Sequence, residues 1–389
     1  MARSAVIAGV GASDYGKVPD KSPFHLMSQA TKAALDDAGL RMSDIDGLIT
    51  TPMRVGPLNP PALIVARNLG ISTSWLSTVD LAGASGTAML DQAAMAVASG
   101  QCTTVLCVSG QNLLSNTWKG SAIQAMAESG VAHQQFEVPQ GPLVVSLYAL
   151  VASQHMARYG TTEEQMAEVA VAIRAHAALN PKAQKREPIT IQDVMASKRI
   201  SSPLKMLDCA LVSDGAVAFI VTSADRAVEL RKRPVKILGI GYGHRHGYVG
   251  ETRDLVVTGA IDSGARAFRE ARLGPGDIDV AEIYDCFTIT VLCELEDLGF
   301  CPKGEAGRFV EDGRLRPKGA FPITTHGGLL SCMHSGLSGG MMHVVEGVRQ
   351  IRGEAGAAQV PGVETALVHG NGGVIAIHCT AILGAEHTA

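Results

Sequence analysis

Aromatic side chains make up only 4% of this 389-residue chain, and its one basic run, Arg231-Lys232-Arg233, sits within a net charge of −4. The shortage of positive charge argues against nucleic acid as a partner, since such a surface needs a basic patch. No stretch approaches the roughly 20 apolar residues that cross a bilayer, so no membrane span is expected. The opening "MARSAVIAGVGASDYG" starts like a leader, with Arg3 before an apolar run, yet the run stops at Ser13 and Asp14 and reads better as a buried first strand. The eight cysteines lack the close pairs that zinc sites use and lie mostly in apolar runs, a pattern that suits free thiols in a reducing cytoplasm. "GVGAS" at 9–13 lacks the third glycine of a dinucleotide fingerprint, there is no P-loop, and no cysteine-histidine set has metal-ligand spacing. No metal and no tightly bound cofactor are expected.

Apolar residues, at 46% against 18% charged, are plentiful, and 43 glycines cluster at strand-to-helix turns. That composition suits a globular protein with much buried sheet. A repeat runs through it. "VIAGVG" at 6–11 is echoed by "KILGIG" at 236–241, and "ALDDAGLRMSDIDGLIT" from Ala34 by "AFREARLGPGDIDVAEI" from Ala267. A weaker echo links 83–110 to 336–370. Each half reads as strand, connection, helix, strand, with continuous apolar strands such as "TTVLCVSG" that need cover on both faces. The fold class is therefore α/β, an internal pseudo-dimer whose sheets share central helices. Residues 1–117 with 205–228 form the first half, 118–204 a mostly helical inserted domain, and 229–389 the second half. Active sites of such folds gather at strand ends, at the junction.

Four segments carry reactive residues in apolar, glycine-rich surroundings: the turn 83–86 in "VDLAGASGTAM", "YDCF" at 284–287, "THGGLLSCMHSGLSGG" at 325–340 and "VHGNGG" at 368–373. Singly, each has a structural reading. Cys286 can be a small hydrophobe, Tyr284 a buried ring, His334 a satisfied core histidine and His369 a strand-end packing residue.

Together they resemble the thiolase superfamily, in its sterol-carrier-protein thiolase and lipid-transfer-protein branch, a likeness also carried by "LDCALVSDGAVAFIVTS", "NPKA", "PITIQD", "THGG" and "EGVRQIRG". The resemblance implies a layered α-β-α-β-α sandwich and a cysteine nucleophile three residues before Gly86, where this chain has Gly83. An acyl-enzyme at that position is ruled out, because glycine has no side chain to carry it. The branch's His-Asp-Cys-Phe is Tyr284-Asp285-Cys286-Phe287 here, its Gly-His-Pro is Met333-His334-Ser335, and its late Cys-x-Gly has no cysteine, with Val368 or His369 nearby. Glycine for the nucleophile plus an opening tyrosine looks like the steroid side-chain aldolases, which split a β-hydroxyacyl-CoA without an acyl-enzyme; this chain departs from them by having His334 where they carry a second tyrosine.

What the resemblance implies for the site is that Tyr284 and His334 transfer protons and bind the enolate, that Cys286 is a third catalytic residue close by and a feasible acid-base group, and that Gly83, Ser85, His369 and Gly372 line the substrate and oxyanion pocket. Hydrogen-bond donors are expected from both Tyr284 and His334. Ser85→Ala is expected to be nearly silent, and a serine hydrolase is disfavoured because the turn lacks Gly-x-Ser-x-Gly. Coenzyme A is implied as substrate carrier, a homodimer as the assembly, and a small zinc-ribbon/OB-fold protein as a possible partner. Retro-aldol cleavage is the favoured reaction. Thiolytic or Claisen chemistry on a β-ketoacyl-CoA, with coenzyme A attacking directly or Cys286 as the nucleophile, and a non-catalytic acyl-CoA-binding subunit stay open as alternatives.

Overall fold

The computed structural model describes residues 5–53, 60–115, 132–386 and 388. In the first half, strand β1 (Ala5–Ala12) leads to helix α1 (Pro23–Ala38), β2 (Gly47–Thr50), α2 (Pro61–Leu69), β3 (Trp75–Thr78), α3 (Ser85–Ala98) and β4 (Thr104–Asn112). Helices α4 (Val144–Tyr159), α5 (Glu163–Leu179) and α6 (Ile191–Ala196) follow, with a small hairpin of β5 (Arg199–Ser201) and β6 (Leu204–Lys205), before the chain returns to the sheet in β7 (Asp214–Ser223). The second half runs β8 (Val235–His244), α7 (Ala260–Ala271), β9 (Val280–Ile283), α8 (Thr288–Asp297), α9 (Ala306–Phe309), α10 (Gly339–Arg352), β10 (Thr365–Gly372) and β11 (Ile377–Gly384). The expected first strand, the repeat and the helical insertion are all present in the described residues.

Nine strands lie in the order β3-β2-β4-β7-β1-β8-β11-β10-β9. The order is symmetric about β1/β8: β2-β4-β7-β1 and β9-β10-β11-β8 share one pattern, a parallel pair followed by two antiparallel pairs. Among the described residues, the halves meet edge to edge through Val6↔Lys236 and Ile7↔Val235.

Alternation along the strands produces the layers. In β4 and β7, Leu106, Val108, Ala216, Ala218 and Ile220 pack on α1 and α2, whereas Val105, Cys107, Val217, Phe219 and Val221 pack on α3 and α10. The second half repeats this: Ala366, Val368, Cys379 and Ala381 join the same α3–α10 layer, and Leu367 and Ile382 face α7 and α8. Helices α3 and α10 are thus the shared middle of a five-layer α-β-α-β-α stack.

The sequence echo has a packing cause. A Cβ on Gly9 would sit 2.3 Å from the Ala34 carbonyl oxygen, and one on Gly239 would sit 2.3 Å from that of Ala267, so α1 and α7 can lie against β1 and β8 only where the strand lacks a side chain. Asp46 and Asp279 repeat as well. Asp46 accepts from the Thr103 and Thr104 N–H groups (2.8–3.0 Å) and Asp279 from those of Glu364 and Thr365 (2.9 Å), each carboxylate tying down the start of the parallel neighbour strand, β4 or β10.

Candidate active site

Three segments converge at the N-terminus of α3. The first is the turn between β3 and α3, where Ala82 holds a left-handed φ of 49°, a conformation that costs a residue bearing a Cβ. Ser85 braces this turn: its Oγ accepts from the Leu81 N–H at 2.9 Å and donates to the Ala82 carbonyl at 2.6 Å. The hydroxyl is part of the turn's scaffold. Ser85→Ala is therefore expected to cost about 1–3 kcal/mol of stability, while the expectation for turnover stays that of a nearly silent change.

The second segment is the end of β9. The Tyr284 N–H donates to the His369 carbonyl at 3.1 Å, extending the parallel β9/β10 pairing by one residue and sending the ring toward the turn. A Cβ built on Gly83 would meet Tyr284 Cζ at 2.3 Å, its hydroxyl at 2.5 Å and the Asn371 carbonyl oxygen at 2.2 Å. The phenol fills the space that a nucleophilic side chain on residue 83 would occupy.

The third brings His334. Gly327 and Gly328 are both left-handed, and a Cβ on Gly328 would lie 2.0 Å from Asp285 Oδ2. Without that Cβ, the Asp285 carboxylate can accept from the N–H groups of Leu329 (2.8 Å) and Leu330 (3.1 Å), so the neighbour of Tyr284 anchors the turn that leads to His334. The His334 backbone is held in both directions by Ser213.

The His334 Nδ1–H donates to the Leu211 carbonyl at 3.0 Å, which leaves Nε2 as an acceptor 3.5 Å from the Tyr284 hydroxyl. Burial holds the imidazole down to about 4, with the Leu211 carbonyl opposing it. Burial, reinforced by Cys286, Asp285 and Glu294, pushes the Tyr284 phenol well above its usual value. At neutral pH the pair is therefore a phenol that donates and an imidazole that accepts, so only Tyr284 of the two expected donors is one. Cys286 Sγ lies 3.5 Å from Thr290 Oγ1 and 4.0 Å from Asn371 Nδ2, and burial pushes its thiol up to about 12. It stays protonated and is a poor nucleophile.

Around this pair are residues the sequence reading missed. The Tyr148 hydroxyl donates to the Gly373 carbonyl at 3.0 Å and lies 3.5 Å from Asn371 Oδ1, and its ring stacks on Phe287 at 4.3 Å. Nothing marks it in the sequence, because it lies in an apolar helix of the insertion. Asn371 was visible in "VHGNGG" but was passed over for His369. Gly372 presses on the turn, since its Cβ would lie 2.1 Å from the Leu81 carbonyl oxygen. The His369 ring, in contrast, hydrogen-bonds Thr380 (2.8 Å) and His378 (3.0 Å) in a separate buried group with Glu294.

Behind Tyr284, at 5.9 Å between ring centroids, His343 is fully buried between Glu282 and Asp285, 3.7 and 3.8 Å away. His326 Nδ1 lies 3.1 Å from Glu282, and the two histidines hold the Glu282 carboxyl below its usual range in spite of burial. Among the described residues, two sets have the composition and spacing to hold a metal ion: Glu282–His326–His343 and Glu294–His369–His378.

This constellation, a strand-end turn, a "YDxF" strand end and a histidine loop meeting over duplicated halves, matches known proteins along its whole length. Residues 4–203 match the family described as Thiolase, N-terminal domain, and residues 241–385 that described as Thiolase C-terminal domain-like. The chain belongs to the thiolase family. Among thiolase-fold relatives, it is 37% identical over 389 residues to a 17-hydroxy-3-oxo-4-pregnene-20-carboxyl-CoA lyase of Mycobacterium tuberculosis, covering 96% of this chain and 98% of that one. It is 35% identical over 383 residues to an acetyl-CoA acetyltransferase of Methanothermobacter thermautotrophicus, covering 97% and 99%. A solved structure titled Ltp2-ChsH2(DUF35) aldolase superposes with a TM-score of 0.84 at 34% identity, covering 99% of this chain and 98% of that chain.

Proposed function

We propose that this thiolase-family protein is an acyl-CoA carbon–carbon lyase that cleaves a β-hydroxyacyl-CoA by retro-aldol chemistry, with no acyl group carried on the protein. The observation that carries the reading is the replacement at residue 83: the Tyr284 phenol occupies the nucleophile's place and faces His334 Nε2 at 3.5 Å. Neutral His334 takes the proton of the β-hydroxyl as the Cα–Cβ bond breaks. The electron pair moves to the thioester, where the Tyr284 hydroxyl donates to the enolate oxygen, and the enolate carbon then takes the proton that His334 had accepted, which restores the neutral imidazole and releases a shortened acyl-CoA beside a ketone or aldehyde. A preorganised donor of this kind is worth about 10²- to 10³-fold in rate.

The lyase relative and the aldolase structure support this reading, and the acetyltransferase relative keeps thiolytic cleavage as the competing one. The aldolase title also names ChsH2 (DUF35), which supports a small partner protein for this chain. A homodimer, a cytoplasmic setting, the division at 204/205 and 228/229, with the 117/118 boundary outside the described residues, and pocket roles for Gly83, Ser85 and Gly372 belong to the same proposal; the expected pocket role of His369 does not, because its ring is engaged with Thr380, His378 and Glu294. So does the absence of a tightly bound organic cofactor, with coenzyme A acting as substrate carrier. Among the described residues no helix is long and apolar enough to cross a membrane.

The deciding experiment incubates the protein with 17-hydroxy-3-oxo-4-pregnene-20-carboxyl-CoA as a probe, with and without free coenzyme A, and in parallel with a β-ketoacyl-CoA. Ketone release without added coenzyme A is the expected result. Cleavage of the β-ketoacyl-CoA alone, dependent on coenzyme A, would establish the thiolase reading instead. Tight binding of both without product would make the chain a binding subunit.

A further inference from the structure

Glu294 from α8, His369 from β10 and His378 from β11 meet in the interior, all with no exposed surface. His369 Nε2 and His378 Nδ1 are 3.0 Å apart, and Glu294 Oε1 lies 3.6 Å from the first and 4.0 Å from the second. Donor atoms bonded to one divalent ion at about 2.0–2.2 Å in tetrahedral geometry stand about 3.3–3.6 Å from each other, and the edges of this triangle, 3.0, 3.6 and 4.0 Å, bracket that spacing.

The outer ring nitrogens are also engaged. His378 Nε2–H donates to the Ile375 carbonyl at 3.1 Å, which leaves its Nδ1 lone pair directed inward. His369 Nδ1 lies 2.8 Å from Thr380 Oγ1, itself 2.8 Å from Ser263 Oγ. Metal-bound imidazoles are oriented by this kind of partner on the far nitrogen. What the cluster lacks is a full partner for the carboxylate: among the described residues neither Glu294 oxygen meets a donor at strict hydrogen-bonding geometry, although the Asn371 side chain approaches it. A buried carboxylate left so costs several kcal/mol, and a cation among the three groups removes that cost. The other set is oriented less well, since among the described residues His326 Nε2 has no hydrogen-bond partner and the His343 ring nitrogens stand 3.7 and 3.8 Å from their carboxylates.

We propose that Glu294, His369 and His378 bind one divalent transition-metal ion of the zinc class. Its ligands pin α8 to the β10–β11 hairpin, and its task is structural. Through β10 it holds the Asn371 carbonyl and Gly372, both packed on the Gly83 turn, in register with Tyr284. The sequence expectation of no metal rested on ligand spacing, and these ligands, 75 and 9 residues apart, show none.

The test is made on the full chain, purified without metal-affinity resin or chelator, and is independent of the retro-aldol reading because it reads metal and stability. Elemental analysis is expected to find about one zinc per chain. Stripping with a strong chelator is expected to lower Tm by several degrees, one equivalent of zinc to restore it, and cobalt loading to give visible d–d absorption. Glu294→Gln and His378→Asn should each lose the ion. The proposal is overturned by wild-type protein that is metal-free and whose Tm does not respond to zinc or cobalt, in which case protons satisfy the cluster. It is equally overturned by a full equivalent of zinc retained in both variants, which would place the ion elsewhere.

Discussion

Tyr284 and Gly83 act as one unit: the ring lies where any Cβ on residue 83 would be, 2.3 Å from Cζ. Tyr284→Phe keeps the ring's packing and removes the donor, so turnover of the β-hydroxyacyl-CoA is expected to fall at least tenfold, with the thermal midpoint nearly unchanged. Equal turnover in the two proteins would remove the phenol from the chemistry. Cys286 makes the opposite prediction. Because burial pushes its thiol up to about 12, Cys286→Ser should retain turnover within a few-fold, and iodoacetamide at neutral pH should leave Cys286 unmodified in peptide maps of the native protein. The absence of a nucleophile could be read from one letter at position 83. That a tyrosine 201 residues later fills the gap could not, since no local pattern couples a turn to a distant strand end.

At the scale of elements, the duplication gives a paired prediction. Asp46 and Asp279 each satisfy two backbone N–H groups at the start of the parallel neighbour strand, β4 or β10. Removing either carboxylate strands those donors in part-buried surroundings. Asp46→Ala and Asp279→Ala should each lower the unfolding free energy by about 1–3 kcal/mol, measured by chemical denaturation, while activity per folded molecule is retained. A midpoint unmoved in both would show that water replaces the carboxylates. These elements were legible because their causes are local: apolar alternation marks the strands, and the paired Gly9 and Gly239 mark where a helix approaches closely. The edge-to-edge join of the halves through two residue pairs had no such mark.

At the scale of the whole molecule, buried histidines link folding to pH. His334 and His176 are each held down to about 4 by burial, with the Leu211 and Leu315 carbonyls opposing it, against about 6.5 for an unfolded chain. Between those values the unfolded chain takes up protons that the folded one refuses. Their contribution is therefore complete above about pH 6.5 and lost as pH falls toward 4, on the order of 3 kcal/mol for each group. Denaturation midpoints measured from pH 7 to pH 4.5 should fall steeply, and His176→Gln should flatten the fall. An unchanged slope in that variant would show that His176 does not differ between the two states. The same low value keeps His334 unprotonated, and so a base, across the neutral range.

The sequence by itself determined the α/β class, the duplicated halves and the loss of a covalent nucleophile, because each follows from side-chain periodicity or from the chemistry of a single residue. Only the tertiary structure decided which groups act. The tautomer of His334 depends on the Leu211 carbonyl, 123 residues away, and the His369 ring turns to His378 and Glu294 because those partners come from a different strand and a helix. Hydrogen-bond direction and burial are properties of such long-range neighbours, and they set protonation.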